Sequence, residues 1–212
     1  MLGRWHRQWR RGVACMEHNM SIAKSFSKKV IAAIQGGGIG VFPSDTLYGI
    51  MGSALIPETV EKIYRLRHRG EHKPMIILIA DGSELKLFGV HPTAAQKNFY
   101  TRYWPGKVSV VLPCRTKKFV YLHRGTGAIA FRVPDKKQLR DFLKKTGPLV
   151  APSANHEGEV PAKTIAEAKK YFGVLADVYV DAGILAGDPS TVVSFGRGKV
   201  KILRQGAVRI GE

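Results

Sequence analysis

The sequence predicts a single α/β domain built on a twisted mixed sheet, parallel and antiparallel, with helices on its faces. Three observations lead there. Apolar runs of strand length alternate with segments of helical periodicity through most of the chain. The last strand-like runs then follow one another without helices between them, which breaks a strictly parallel pattern. No linker, internal repeat or low-complexity block divides the 212 residues, and 44% apolar content is enough for one substantial core.

The elements follow in order. Phe26, Val30, Ile31 and Ile34 recur at helical spacing within Ile22 to Gln35, and the glycines Gly36 to Gly38 stop that helix. Ile39 to Pro43 (IGVFP) reads as a buried strand. Pro57 to Arg67 reads as a helix, with proline at its start and Val60, Ile63 and Tyr64 on one face. Met75 to Ala80 (MIILIA) is a second core strand, followed by polar and amphipathic helical stretches through Tyr103. Lys107 to Pro113 and Ala128 to Pro134 are strands, and Asp135 is placed to cap a helix carrying Leu139, Phe142 and Leu143. Leu149 to Pro152 is a short strand. Thr164 to Glu167 (TIAE) has the pattern of a capping box opening a helix that ends at Gly173. Val178 to Gly183, Ser190 to Phe195 and Lys199 to Arg204 close the chain as strands.

Composition narrows the function. Lys plus Arg is 34 against 16 acids, a formal charge of +18, far more than solubility needs; the excess points to polyanionic partners such as nucleic acid, nucleotide or an anionic membrane surface. No stretch has the apolar length to cross a bilayer, and no secretory signal opens the chain. Two cysteines, Cys15 and Cys114, give neither a disulfide framework nor zinc spacing, so a reduced, cytoplasmic setting is expected. Residues 1–20 stand apart as a basic extension with four Arg, two Trp and one acid; it is expected to be poorly ordered, ahead of a domain over 21–212.

Several familiar chemistries are excluded. GGGIG follows a helix and opens a strand, the reverse of a dinucleotide-binding turn, and it lacks the Gly-Lys-Ser/Thr ending of a phosphate-binding loop. His156-Glu157 lacks the second histidine of a zinc protease, no Gly-x-Ser-x-Gly elbow exists, and the histidines show no ligand spacing. No metal site is expected from protein ligands.

Three strand ends carry polar clusters instead. Ser44, Asp45, Thr46 and Tyr48 follow the strand ending at Pro43. Ser153 and Asn155 follow the one ending at Pro152, and Ser190 and Thr191 open the strand after Pro189. Ligands of α/β sheets bind beyond strand ends, and hydroxyl and amide groups there can hold phosphate or ribose oxygens. Each cluster alone would also suit an ordinary polar turn. The loop LRHRGEHKP (Leu66 to Pro74) brings Arg67, Arg69 and Lys73 together against one acid, Glu71; alone it reads as a solvated charge run, and beside the three clusters as a clamp for an anionic ligand.

Seven blocks then occur in one order: FPSDTLYGI, RLRHRGEHKPMIIL, WPGKVSVVL, AFRVP, APSAN, PSTVV and ILRQGA. Together they resemble the YrdC/TsaC family of threonylcarbamoyl-AMP synthases, over about Ile22 to Gly206, in its short form without an extra C-terminal domain. The resemblance implies a YrdC-like fold and a nucleotidyltransferase that makes threonylcarbamoyl-AMP and pyrophosphate from L-threonine, bicarbonate and ATP, with Mg2+ accompanying ATP. The product would feed threonylcarbamoyladenosine modification of tRNA through a downstream tRNA threonylcarbamoyl-transferase complex. It also implies roles: Ser44, Thr46, Arg69, Arg132 and Ser190 on the threonine and bicarbonate side; Arg67, Lys73, Ser153, Asn155 and Arg204 on the ATP side; Arg67, Arg69 and Lys73 closest to catalysis. Arg67 stands where the family usually has lysine, exchanging a compact ammonium for a planar fork. Two other readings remain open: a non-enzymatic protein of this fold binding tRNA or double-stranded RNA through its basic surface, and a paralogue with an altered substrate. No membrane association is expected.

Overall fold

The computed structural model describes residues 21–196 and 199–211; the basic N-terminal segment lies outside them. Its strands are β1 (Ser21–Ala23), β2 (Gly40–Pro43), β3 (Tyr48–Ser53), β4 (Ile77–Leu78), β5 (Val108–Pro113), β6 (Ala128–Arg132), β7 (Leu149–Val150), β8 (Val178–Val180), β9 (Thr191–Gly196) and β10 (Lys199–Arg204). Its α-helices are α1 (Lys28–Gln35), α2 (Pro57–Leu66), α3 (Ala94–Tyr103), α4 (Val120–His123), α5 (Lys137–Thr146) and α6 (Ile165–Phe172). The strands form one sheet in the order β1-β8-β2-β3-β7-β4-β6-β5-β9-β10. Parallel pairs (β1/β8, β2/β8, β4/β6, β5/β9) mix with antiparallel ones, as the chain order of helices and strands implied.

Period-two alternation sends side chains into two layers. Val41, Tyr48, Ile50, Ile77, Val150 and Tyr179 pack on one face with α2, α4 and α6. Phe42, Met51, Leu78, Leu149, Val178 and Val180 pack on the other with α1 and α5. An aromatic cluster knits this second layer: the Phe142 ring lies 4.5 Å from Phe26 and 5.2 Å from Phe42. The two helices α1 and α5 cover only part of their face. Over β6, β5 and β9 the outward positions are Ala128, Ala130, Arg132, Val111 and Val192, and these form the floor of a cavity.

Several elements differ from the sequence reading. The first helix begins at Lys28, not Ile22, because Ser21–Ala23 pairs in parallel with β8 and Ser27 Oγ caps the helix by accepting from the Val30 N–H. Phe26 therefore joins the core from outside the helix. The segment after Thr46 is a strand, β3, fully buried and paired with β2; its glycines hid it. MIILIA keeps ladder pairing only at Ile77–Leu78, although Ile79 still donates to Arg132 O at 3.0 Å. Asp135 caps nothing; α5 starts after Lys136 with no side-chain cap. Thr164 does cap α6 from its side chain, but Glu167 reaches back to the Lys163 N–H, so the box is only half formed. A complete box sits instead at Thr93 and Gln96.

The triple glycine behaves as a helix stop. Gly37 adopts φ 86°, open to glycine at no steric cost, and its carbonyl accepts from Thr59 Oγ1 at 2.8 Å, tying the turn to α2.

Candidate active site

The floor of small apolar side chains is walled by the three polar strand ends and the basic loop. The cavity measures about 450 Å3 and takes in Ser44, Thr46, Arg67, Arg69, Arg132, Ser153, Ser190 and Arg204 among its lining. Four arginines thus face one space, and among the described residues no carboxylate lines it. Of the ten residues given a site role from sequence, eight line the cavity; Asn155 and Lys73 do not.

Arg67 follows directly on α2 and is only 3% exposed. Its Nε donates to Asn155 O at 2.9 Å, and Nη2 to Asn155 Oδ1 at 3.2 Å and to Ser153 Oγ at 3.4 Å. Asn155 therefore acts behind the wall, orienting the guanidinium, while its own amide donates to the carbonyls of His156 and Glu159. Burial, and then the neighbouring Arg69 charge, lower the Arg67 pKa to about 10. Taking a buried cation out of water without a paired carboxylate is unfavourable, so an anion entering here would relieve a real penalty.

Arg69 hangs from the same loop, with Nε and Nη2 donating to the carbonyls of Lys73 and Pro74, each at 3.0 Å. Its Nη1 lies 3.8 Å from Glu157 Oε1. The loop bends at His68, whose φ of 49° lets its ring stack on His156 at 4.3 Å. Lys73 points out of the cavity and pairs with Glu157 at 2.8 Å.

Arg132, on β6, reaches across to Asp45 in the turn between β2 and β3, with Nη1 and Oδ1 2.5 Å apart. Both side chains are nearly closed to water, at 5% and 7% exposure. The second Asp45 oxygen accepts from the Asp135 N–H at 2.9 Å, while Arg132 Nε has no partner. Beside them Ser44 Oγ folds its own turn, contacting Thr46 Oγ1 at 2.9 Å and Leu47 O at 2.7 Å, and receiving the N–H groups of Thr46 and Leu47.

The third wall comes from the chain end. Arg204 donates to Ser190 O from Nε and Nη2, and Ser190 Oγ lies 2.9 Å from Ser109 Oγ. Burial, and after it the charges of Arg132 and Arg69, push the Arg204 pKa down. The arginines feel one another across a single space, as separated surface cations would not.

The sequence reading gave no role to Glu157, Asp45 or Ser109, which bind the candidate residues directly. Asp45 stood in the polar cluster after Pro43 but was assigned nothing; Glu157 and Ser109 carried no local signal. Among the described residues no group of three or more His, Cys, Asp or Glu gathers to hold a metal ion. Asp45, which pairs with the lining residue Arg132, is already taken by it and by a backbone N–H, and Glu157 is taken by Lys73 and the Gly70 N–H, so these side chains do not fit a protein-held magnesium site.

The chain is similar to known proteins in sequence and in fold. A family model, Sua5_yciO_yrdC, described as telomere recombination, matches residues 32–206. A threonylcarbamoyl-AMP synthase of Bacillus subtilis is 34% identical over 183 residues, covering 84% of this chain but 52% of that protein. One of Marinobacter nauticus is 32% identical over 171 residues, covering 78% of this chain and 89% of that protein. The chain thus spans about half the length of the first relative and most of the second. Among solved structures, Pyrococcus abyssi Sua5 complexed with L-threonine superposes with TM-score 0.81 at 24% identity, over 88% of this chain and 58% of that one. Escherichia coli YciO does so with TM-score 0.78 at 20% identity, over 88% and 96%. The structural likenesses establish the fold; with the sequence matches over most of its length, the chain belongs to the Sua5/YciO/YrdC family.

Proposed function

We propose that this protein is a threonylcarbamoyl-AMP synthase, a nucleotidyltransferase joining L-threonine, bicarbonate and ATP. The observation that carries the reading is the cavity with four arginines and, among the described residues, no acid on its wall, over a floor of alanine and valine. Cations suit a triphosphate and a carboxylate; flat apolar floor suits a base. The names of the Bacillus and Marinobacter relatives support the same activity.

The chemistry needs two anions brought together. The threonine amine condenses with bicarbonate, its nitrogen bonding to the carbon and losing a proton as the hydroxyl leaves, to give a carbamate and water. A carbamate oxygen then attacks the α-phosphorus, and the bond to the β-phosphate oxygen breaks to release pyrophosphate. A carbamate is already nucleophilic, so the protein's task is to neutralise and orient, and preorganised cations supply most of the rate. Arg67, oriented by Asn155 and Ser153, and Arg204 hold the nucleotide, with Lys73 at its rim. Arg69 and Arg132, with Ser44, Thr46 and Ser190, take the threonine carboxylate and carbamate. Arginine's planar fork suits a carboxylate, and the geometry limits Arg132 to what its pairing with Asp45 leaves free. Magnesium would arrive on the phosphates, and no step here depends on a protein ligand for it. The catalytic domain is taken as residues 21–212, its product serving tRNA modification in the cytoplasm.

The test is pyrophosphate release from ATP by the full chain, required to depend on both threonine and bicarbonate. Arg69→Ala should reduce it by about a hundredfold or more while the protein stays folded. Release that ignores threonine, or full turnover in Arg69→Ala, would sink the reading. The +18 charge also suits a non-enzymatic RNA binder; salt-dependent RNA affinity with no threonine-dependent release would favour that alternative.

A further inference from the structure

Lys73 is the cation of the candidate set that faces away from the cavity, and Glu157 holds it there. Glu157 Oε1 accepts from Lys73 Nζ at 2.8 Å and lies 3.8 Å from Arg69 Nη1. Its Oε2 accepts from the Gly70 N–H at 2.7 Å. The Glu157 backbone N–H donates to Arg67 O at 2.8 Å, so a fixed main chain delivers the carboxylate. An ammonium, a guanidinium and a backbone N–H converge on it much as they would on a phosphate.

The Lys73 backbone is pinned at the cavity rim. Its carbonyl accepts from Tyr64 Oη at 2.9 Å and from Arg69 Nε at 3.0 Å, and its neighbour Pro74 lines the cavity. The side chain is 65% exposed and Glu157's is 25%. A long side chain on a fixed backbone beside a cationic cavity is free to swing inward, and the pair with Glu157 opposes that swing. Pairs this exposed are weak, so an anion of higher charge can take the lysine from it. The Lys73 and Gly70 hydrogen bonds lower the Glu157 pKa, as expected of a carboxylate bound in its charged form.

We infer that Glu157 is a positioning residue: an internal counter-anion that parks Lys73 and shields Arg69 in the empty protein, and that an incoming polyphosphate displaces. The inference rests on the nucleotide reading above and adds what sets the site's grip on the phosphates.

Inorganic tripolyphosphate binding to the full chain, measured by calorimetry, tests it. Glu157→Gln keeps an oxygen for the Gly70 N–H but removes the charge, and should bind tripolyphosphate about fivefold more tightly. Most of the gain should be lost when Lys73→Ala is added, leaving only the share that runs through Arg69, and Glu157→Asp should return affinity toward the wild-type value. In the wild-type protein, tripolyphosphate should slow acylation of the Lys73 amine about fivefold, read by peptide mass, a measurement that stands even if a variant misfolds. Unchanged or weaker binding by folded Glu157→Gln, unchanged Lys73 acylation, or no tripolyphosphate binding at all would overturn it. If the tripolyphosphate pattern holds while threonine-dependent pyrophosphate release fails, the synthase reading falls and Glu157's role stands; the reverse result separates them the other way.

Discussion

Asp45 and Arg132 show how one pair of residues can serve both stability and a site. Their side chains are almost closed to water and come from a turn and a strand far apart in sequence, so the contact fastens the β2–β3 turn to β6. Removing one member of a buried pair leaves the other's charge uncompensated, which is far worse than replacing both. Asp45→Ala should therefore lose about 3–5 kcal/mol of stability by urea denaturation; a loss under 1 kcal/mol would show that water already reaches the pair. Arg67 is the opposite case. Its hydrogen bonds go to neutral acceptors, Asn155 and Ser153, which hold the buried charge in place, the feature on which its proposed part in binding an anion rests.

Among the elements, the closing segment after β10 determines the third wall. Thr191 Oγ1 donates to Val208 O at 2.6 Å and receives the N–H groups of Gly206 and Val208 at 3.1 Å. Gly206 packs so closely that a Cβ would meet Pro189 O at 2.2 Å and the Ser190 carbonyl carbon at 2.6 Å, all backbone with no side chain able to yield. Gly206→Ala should push this segment off Ser190, lowering stability by about 1–3 kcal/mol and reducing pyrophosphate release as Ser190 and Arg204 shift. Wild-type turnover in that variant would mean the C-terminal wall is dispensable. The same scale explains the misread helix start: Ser21–Ala23 looked helical by its neighbours but gains a parallel ladder with β8, and a serine can end that extended stretch by capping α1.

Over the whole molecule, charge and fold pull against each other. A formal +18 on 212 residues stores self-repulsion that folding concentrates, and four cations share one cavity. Raising salt from ~20 mM to ~300 mM should raise the melting temperature, because screening shortens to within a domain's width; a fall would show that attractive pairs outweigh repulsion.

Much of this was legible in the chain. Helix faces, most strands, the mixed sheet and the polar strand ends follow from local periodicity and turn chemistry, which act over a few residues, and the family resemblance rests on blocks quoted from the sequence itself. What only the tertiary structure decided are the long-range partners: Asp45 to Arg132, Ser109 to Ser190, and Glu157 to Lys73 across 84 positions. Those contacts depend on which strands lie side by side and on which half of a sheet face the helices leave uncovered. No short window of residues contains either fact, because both arise only once the chain has closed on itself.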